Sequence, residues 1–414
     1  MLVRQKIAAV VRKGRSHADP LIVGICFFIF IVFMFGSAPI YSAEEKTAAD
    51  EQTKQIKIPS SKIGLVDEDV SASDSGYLNK ERASVARQAM GPCRPVHGKV
   101  TILVAVVTTS YERFYNVAQD SLRCYLKSTN YTFLLINLDT DKRVNEQCGH
   151  NQLFFKKHCA ASVYLNDTDW LMVLDADAGV VNPNHCIEEW IDTRVDLIFY
   201  ERFFNWEIAS GNYIARNTPF AKHFLKTWAD WQYEQPKNFN GADNGVLQIH
   251  ILKAVLPSAV SEREACDRIW RRGDGYDTYM AYVTCVKVTL GATRLWPGKV
   301  RIYRRGHGWV RDGMLTADRW CQRDFMLHGW KHNRTGIAGW MSPFEKEFNI
   351  DECGIGEAGW HWRKDYRTSE ENIKESLKNF ERGAGINFPK VARVHPYLSE
   401  GDIGSCWPHC DDLV

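Results

Sequence analysis

The sequence is short of several things, and each shortage closes off a class of protein. Its 414 residues carry no charge bias, with 52 basic and 50 acidic side chains, a net charge of +2 and the two signs well mixed. A nucleic-acid partner would find no basic footprint on such a chain. No Gly-x-Gly-x-x-Gly follows the first strand-like segment, which argues against a dinucleotide site of the dehydrogenase kind. There is no internal repeat. Residues 42–95 have few aromatics and no sustained apolar period, being rich in Glu, Lys, Ser, Asp and Ala. A composition like that buries little surface and reads as a flexible stem. The remainder is well supplied, with 45% apolar residues and 14 tryptophans, ample for a core.

One long apolar run is present. Leu21 to Tyr41 holds no charge, and its core, Leu21 to Phe35, is apolar apart from Gly24. As a helix it would span about 30 Å, the thickness of a bilayer core. Arg4, Lys6, Arg12, Lys13 and Arg15 precede it, while Glu44 and Glu45 follow. The positive-inside rule then makes 1–20 a cytosolic tail, 21–41 a signal anchor and 42–95 a stem on the far side. A cleaved signal peptide is the alternative, but Gly36-Ser37-Ala38 runs into Pro39 and Tyr41 spoils the next small-residue site. Cys26 falls within the anchor and leaves eleven cysteines beyond it, from Cys93 to Cys410. So many imply disulfides in an oxidising compartment, with at least one thiol unpaired. Cys406 and Cys410 flank His409, a hint of zinc, but no second ligand pair accompanies them and a disulfide is the better reading. Asn130, Asn166 and Asn333 each begin a glycosylation triplet that this topology permits.

The folded part reads as alternating strands and helices. Strands are expected at Lys99–Thr109, Tyr131–Leu138, Trp170–Leu174 and Val195–Tyr200. Helices are expected at Arg113–Lys127, Asn151–Leu165, Ile187–Trp190, Thr218–Tyr233 and Val246–Val255. The alternation predicts an α/β fold with a mostly parallel central sheet covered by helices on both faces. The helix from Thr218 carries an aromatic stripe, Phe220, Phe224, Trp228 and Trp231, which suits core packing. A charged helical run at Ser369–Arg382 belongs to a C-terminal extension, residues 346–414, tied on by disulfides.

Three Asp-x-Asp pairs occur, and only one suits chemistry. Asp167/Asp169 sits in a polar Asn-Asp-Thr-Asp stretch and reads as turn chemistry. Asp139/Asp141 runs into Lys142 and Arg143 and reads as a solvated loop. Asp175/Asp177 ends a buried apolar strand, flanked by Ala176, Ala178 and Gly179, small enough for a bulky ligand to approach. A period of two puts both carboxylates on one face while the strand lasts. Such a pair suits Mn²⁺ or Mg²⁺ carrying a phosphate, at the edge where open α/β sheets bind ligands. Farther on, Asp243 and Asn244 open a helix, where they could be plain capping residues. Asp324 to Lys331 reads as a strand delivering His328 and Lys331.

Together these segments, over roughly Lys99–Trp340, resemble a glycosyltransferase of the GT-A fold. The nearest pattern is the Golgi family of retaining α-galactosyl-, α-mannosyl- and xyloglucan xylosyltransferases, and the chain also resembles a nematode-expanded family labelled as a domain of unknown function. The resemblance implies a catalytic domain at 96–345, with Asp175, Asp177 and His328 holding the metal and Lys331 reaching the diphosphate. The family's Asn-Thr-Gly-x-Phe-Leu-Ile-Arg-Asn stretch near donor and acceptor reads Ala209-Ser210-Gly211-Asn212-Tyr213-Ile214-Ala215-Arg216-Asn217 here. That puts Ser210 and Gly211 at the donor, with Ala209 replacing the leading Asn. Asp243-Asn244 match an Asp-Gln pair and would be the catalytic residues. Thr108, Thr109 and Tyr111 would contact the nucleotide base, or form an ordinary strand-ending loop. The implied protein is a Golgi type II membrane hexosyltransferase, moving a sugar from a nucleotide-sugar, most simply a UDP-sugar, to a glycan or glycoprotein. A catalytically inactive sugar- or protein-binding relative is one alternative. A metal-dependent phosphohydrolase is another, though it would want more histidines and acids at strand ends.

Overall fold

Apolar and β-branched runs build the sheet. The computed structural model describes residues 93–94, 96–109, 115–331, 342–387 and 402–410. The expected tail, anchor and nearly all of the stem, with Tyr111 and Asn333, lie outside the described residues. Among those described, no helix is long and apolar enough to cross a membrane.

In chain order the sheet begins with β1 (Val100–Val106), which is buried throughout. It pairs in parallel with β2 (Thr132–Asn137) on one side and β3 (Trp170–Leu174) on the other. Beyond β3 come β6 (Tyr213–Arg216), β5 (Leu197–Tyr200), β8 (Val300–Tyr303) and the short β7 (Leu295–Trp296). β6 is antiparallel to both neighbours, and β7 is antiparallel to β8. The sheet is therefore mixed rather than simply parallel, with five of its strands running one way. The stretch expected only to lead into a helix supplies β6. At four residues it is too short for periodicity to declare itself.

The period-two alternation divides the core. Leu103, Leu171, Val173, Phe199 and Tyr213 point to one face. That face is covered by α3 (Leu153–Tyr164), α4 (Pro219–Asp230), α5 (Ala242–Val255) and a hairpin of α6 (Val260–Arg271) with α7 (Tyr276–Leu290). No expectation had covered that hairpin, which the Cys266–Cys285 disulfide staples. The aromatic stripe of α4 does pack in the core, Phe224 and Trp228 fully and Phe220 and Trp231 in part. Ile102, Val104, Met172 and Leu174 point to the other face, toward α1 (Asn116–Leu126). A second sheet lies there too, ordered β4 (Ala178–Val180), β10 (Met326–His328), β9 (Val310–Asp312).

The C-terminal segment packs onto this second face. Trp360 and Trp362 stack, and the Trp362 indole N–H donates to the Val181 carbonyl at 2.9 Å. Cys353 is bonded to Cys124 of α1. α8 (Glu370–Asn387) joins Phe203, Leu315, Ile403 and Trp407 in a smaller core. Arg305 fastens it by pairing with Glu381 and Asp402. Cys93–Cys186, Cys148–Cys159 and Cys406–Cys410 are also bonded, while Cys321 is a buried free thiol.

Candidate metal and donor site

The three Asp-x-Asp pairs separate cleanly. Asp141, expected in a solvated loop, instead caps α2 (Lys142–Gln147), its carboxylate accepting from the Val144 N–H at 2.8 Å. A capping side chain at a strand–helix junction looks, in sequence, like any loop acid. Asp169 accepts from the Lys99 N–H at 2.7 Å and Asp167 pairs with Arg143, as turn acids do.

Asp175 and Asp177 are different. β3 ends at Leu174, so strand alternation is not what aligns them. They sit in a tight turn closed by the Ala178 N–H on the Asp175 carbonyl at 3.0 Å. Gln119 of α1 donates to the Ala176 carbonyl at 2.8 Å, and the Gly329 and Trp330 N–H groups both donate to the Asp177 carbonyl. Across from the turn, β10 pairs antiparallel with β4 in a register that sets His328 opposite Ala178. Gly179 permits this approach, since a Cβ there would lie 2.6 Å from both Ser121 and the Trp330 ring.

The result is a convergent donor set. His328 Nε2 lies 3.2 Å from Asp177 Oδ1 and 3.8 Å from Asp175 Oδ2. One donor atom from each of the three residues falls within 4.8 Å of the others. Two carboxylates and an imidazole are a hard oxygen-and-nitrogen set that fits Mn²⁺ or Mg²⁺. Lys331 Nζ stands 3.6 Å from Asp177 Oδ2. Burial opposes charge on His328, but Asp177 and Asp312 outweigh it and hold its pKa well above the ordinary value. Burial likewise opposes ionisation of Asp177, yet His328 and Lys331 draw its pKa far below the usual carboxylate range. A second group, Cys93, Cys186 and Glu188, is no metal site because its two sulfurs are bonded to each other.

A partly open cleft lies beside these residues. Asp175, Gly211, Asn212, Asn244, Asp312 and His328 line it, with Arg202, Phe203 and Gly306 on the side that the C-terminal segment supports. Gly211 has no alternative, because a Cβ would fall 1.8 Å from Asp175 Oδ2. Asn212 accepts from the Asp175 N–H at 2.9 Å and donates to the Tyr200 hydroxyl at 3.0 Å. Asn244 accepts from the Ser210 N–H at 3.1 Å, so it ties the start of α5 to the 209–212 turn. Ala209 also lines the cleft.

Ser210 and Asp243 are buried behind that wall, at 1% and 3% exposure. Asp243 does not cap α5, whose N-cap is Gly241 with a φ of 72°. Its carboxylate turns to α3 instead, 3.1 Å from His158 Nε2 and 3.8 Å from Lys157 Nζ. Lys157 reaches on to Asp175 Oδ1 at 2.9 Å. Burial lowers the His158 pKa to about 4, which leaves the ring neutral. The ring stacks on Trp228, centroids 3.4 Å apart, and meets the Tyr213 hydroxyl at 3.1 Å. Burial disfavours charge on Asp243, but His158 and Lys157 more than offset it and lower its pKa. Thr108 and Thr109 are exposed beyond the C-terminal end of β1, the sheet edge that also bears Asp175. The Thr108 N–H donates to Asp139 at 3.0 Å. Neither threonine lines the cleft.

Sequence reasoning missed Lys157, Asp312 and Asn212. The one available signal was the ionisable run Lys156-Lys157-His158, set between the apolar residues Leu153 to Phe155 and Cys159 to Ala161 of an expected helix.

Fold and site define a mixed α/β protein with a polar cleft, lined by both acidic and basic side chains, at the C-terminal edge of its parallel strands. Residues 122–338, just over half of the chain, match the family described as "Protein of unknown function, DUF273", and the chain belongs to it. No curated protein matches. Among solved structures, a glycosyltransferase involved in glycosylation of the major capsid of PBCV-1 is similar at 15% identity and a TM-score of 0.35. The likeness covers 56% of this chain and 93% of that one. The glycosyltransferase GlyE of Streptococcus pneumoniae TIGR4 is similar at 12% identity and a TM-score of 0.27, over 45% of this chain and 60% of that one. Neither likeness is close enough to carry a role across.

Proposed function

We propose that the chain is a metal-dependent glycosyltransferase that moves a hexose from a nucleotide-sugar, a UDP-hexose by preference, to a glycan or glycoprotein. The observation that carries this reading is the convergence of Asp175, Asp177 and His328 beside a polar cleft. A nucleotide-sugar leaves as a diphosphate, which departs readily only when its charge is neutralised. Mn²⁺ or Mg²⁺ bound by those three side chains would supply that neutralisation as a Lewis acid.

The chain's own residues do the rest. Lys331 adds a fixed cation where the diphosphate would lie. Lys157 holds Asp175 by Oδ1 and leaves Oδ2 on the His328 side. Gly211 lets the sugar approach the backbone. Asn244 has its carbonyl oxygen engaged by Ser210, so its amide N–H₂ is the group it can offer to a sugar hydroxyl. Asp243, charged and enclosed, acts through Lys157 and His158. We further propose that transfer proceeds with retention, the departing phosphate taking the acceptor's proton, and that residues 21–41 anchor the protein in the Golgi membrane with the catalytic domain lumenal.

Turnover of a panel of nucleotide-sugars, with and without Mn²⁺, tests the reading. Mn²⁺-dependent release of the nucleoside diphosphate from one sugar donor is the expected result. Cleavage of phosphoesters that carry no sugar, or no turnover of any donor, would sink it.

A further inference from the structure

The second sheet brings one more acid to the site. β9 lies parallel to β10 in a register that puts Asp312 directly beside His328. Asp312 Oδ1 sits 2.8 Å from His328 Nδ1, on the opposite edge of the ring from Asp175 and Asp177. The carboxylate is itself held. Arg202 approaches it at 4.0 Å, and Arg202 is anchored in turn by Glu207 at 3.6 Å.

We propose that Asp312 is a positioning residue for the metal site, a role that rests on the metal reading above. A neutral imidazole carries one N–H and one lone pair, and the hydrogen bond at one nitrogen decides which is which. With Asp312 accepting from Nδ1, Nε2 is the nitrogen that faces the two aspartates, and it would give its lone pair to a bound metal on releasing the proton it shares with Asp177 in the metal-free site. The same bond fixes the plane of the ring. Carboxylates that orient ligating histidines in this way govern metal affinity without touching the metal. The spacing along the chain could not reveal the pair, because only strand pairing brings residues 312 and 328 together.

The test is Mn²⁺ affinity of the full chain in detergent, read by electron paramagnetic resonance of the free ion, with no turnover involved. Asp312→Asn is nearly isosteric and should fold. It should weaken Mn²⁺ binding about 10-fold or more, with the melting temperature of the metal-free protein little changed. In a His328→Ala background the same substitution should cost nothing further. Unchanged affinity for Asp312→Asn would overturn the proposal. An equal loss in both backgrounds would also do so, because Asp312 would then act directly rather than through His328. Asp177→Asn distinguishes the two levels. If it too leaves Mn²⁺ binding intact, the metal reading itself fails and the positioning role falls with it.

Discussion

Two polar clusters lie on either side of Asp175, built from the same kinds of side chain and kept in different surroundings. Lys157, His158 and Asp243 form a dry cluster, packed against Trp228 and Tyr213 and sealed behind the cleft. Asp175, Asp177, His328 and Lys331 form a wet one, with Asp175 and Lys331 about 30% exposed. In the dry cluster each charge already faces its partner. In the wet cluster, acids crowd within reach of one another and of a cleft. Sharing a carboxylate–histidine pairing therefore says little about role. What separates structure from chemistry here is whether the cluster opens on the cleft, as Asp175 and His328 do and Lys157, His158 and Asp243 do not.

The sharpest way to break this comparison is to neutralise one acid on each side. Asp177→Asn should lower metal-dependent turnover about 1000-fold, far more than the melting shift that follows from taking the charged partner away from His328 and Lys331 would explain. Asp139→Asn and Asp167→Asn should be far milder, and equal losses in all three would show the wrong pair was chosen. Asp243→Ala should do the reverse kind of damage. It leaves the buried, neutral His158 ring without its partner at Nε2 and Lys157 with Asp175 as its remaining acid, and should cost about 3 kcal/mol of stability, measured by denaturant titration. A variant as stable as the parent would end the structural reading of the dry cluster.

Acid provides the smallest and most selective probe. The unfolded chain protonates its histidines near pH 6.5, whereas folded His158 resists until about pH 4. Its contribution is thus complete above pH 6.5 and lost as the pH falls toward 4, by about 3 kcal/mol. Asp243 acts in the same sense at lower pH. Its depressed folded pKa adds stability above the ordinary carboxylate value, lost as the pH falls through the folded one. His158→Gln should flatten the upper part of that window. Buried His250, whose pKa burial lowers to about 3, keeps its own share of the slope, so a slope as steep in His158→Gln as in the parent would overturn the assignment to His158.

Legibility in the sequence followed range. β1, β2, β3 and the helices packed on them were readable because each carries its own apolar period over several turns or pairs. Asp175 and Asp177 stood out because they end such a run. β6 did not, being four residues long. α6 and α7 surfaced only once their packing was visible. Lys157 and Asp312 were illegible for a different reason. Their meaning depends on partners 18 and 16 positions away, at Asp175 and His328, across elements whose juxtaposition no local pattern encodes.

The disulfide from α1 to the C-terminal segment has a consequence in time. Cys124 and Cys353 are 229 residues apart. At a synthesis rate of about 5–20 residues per second, Cys124 emerges about 10–45 s before its partner exists. Cys148 and Cys159, separated by only 11 positions, arrive within that interval and offer it two nearer thiols. Cys186, Cys266, Cys285 and Cys321 also precede Cys353, so correct pairing depends on the native shorter-range bonds closing early and on later exchange through a mixed disulfide. The cell's supply of thiol–disulfide isomerase, rather than the rate of translation, would then set how much correctly bonded protein is made.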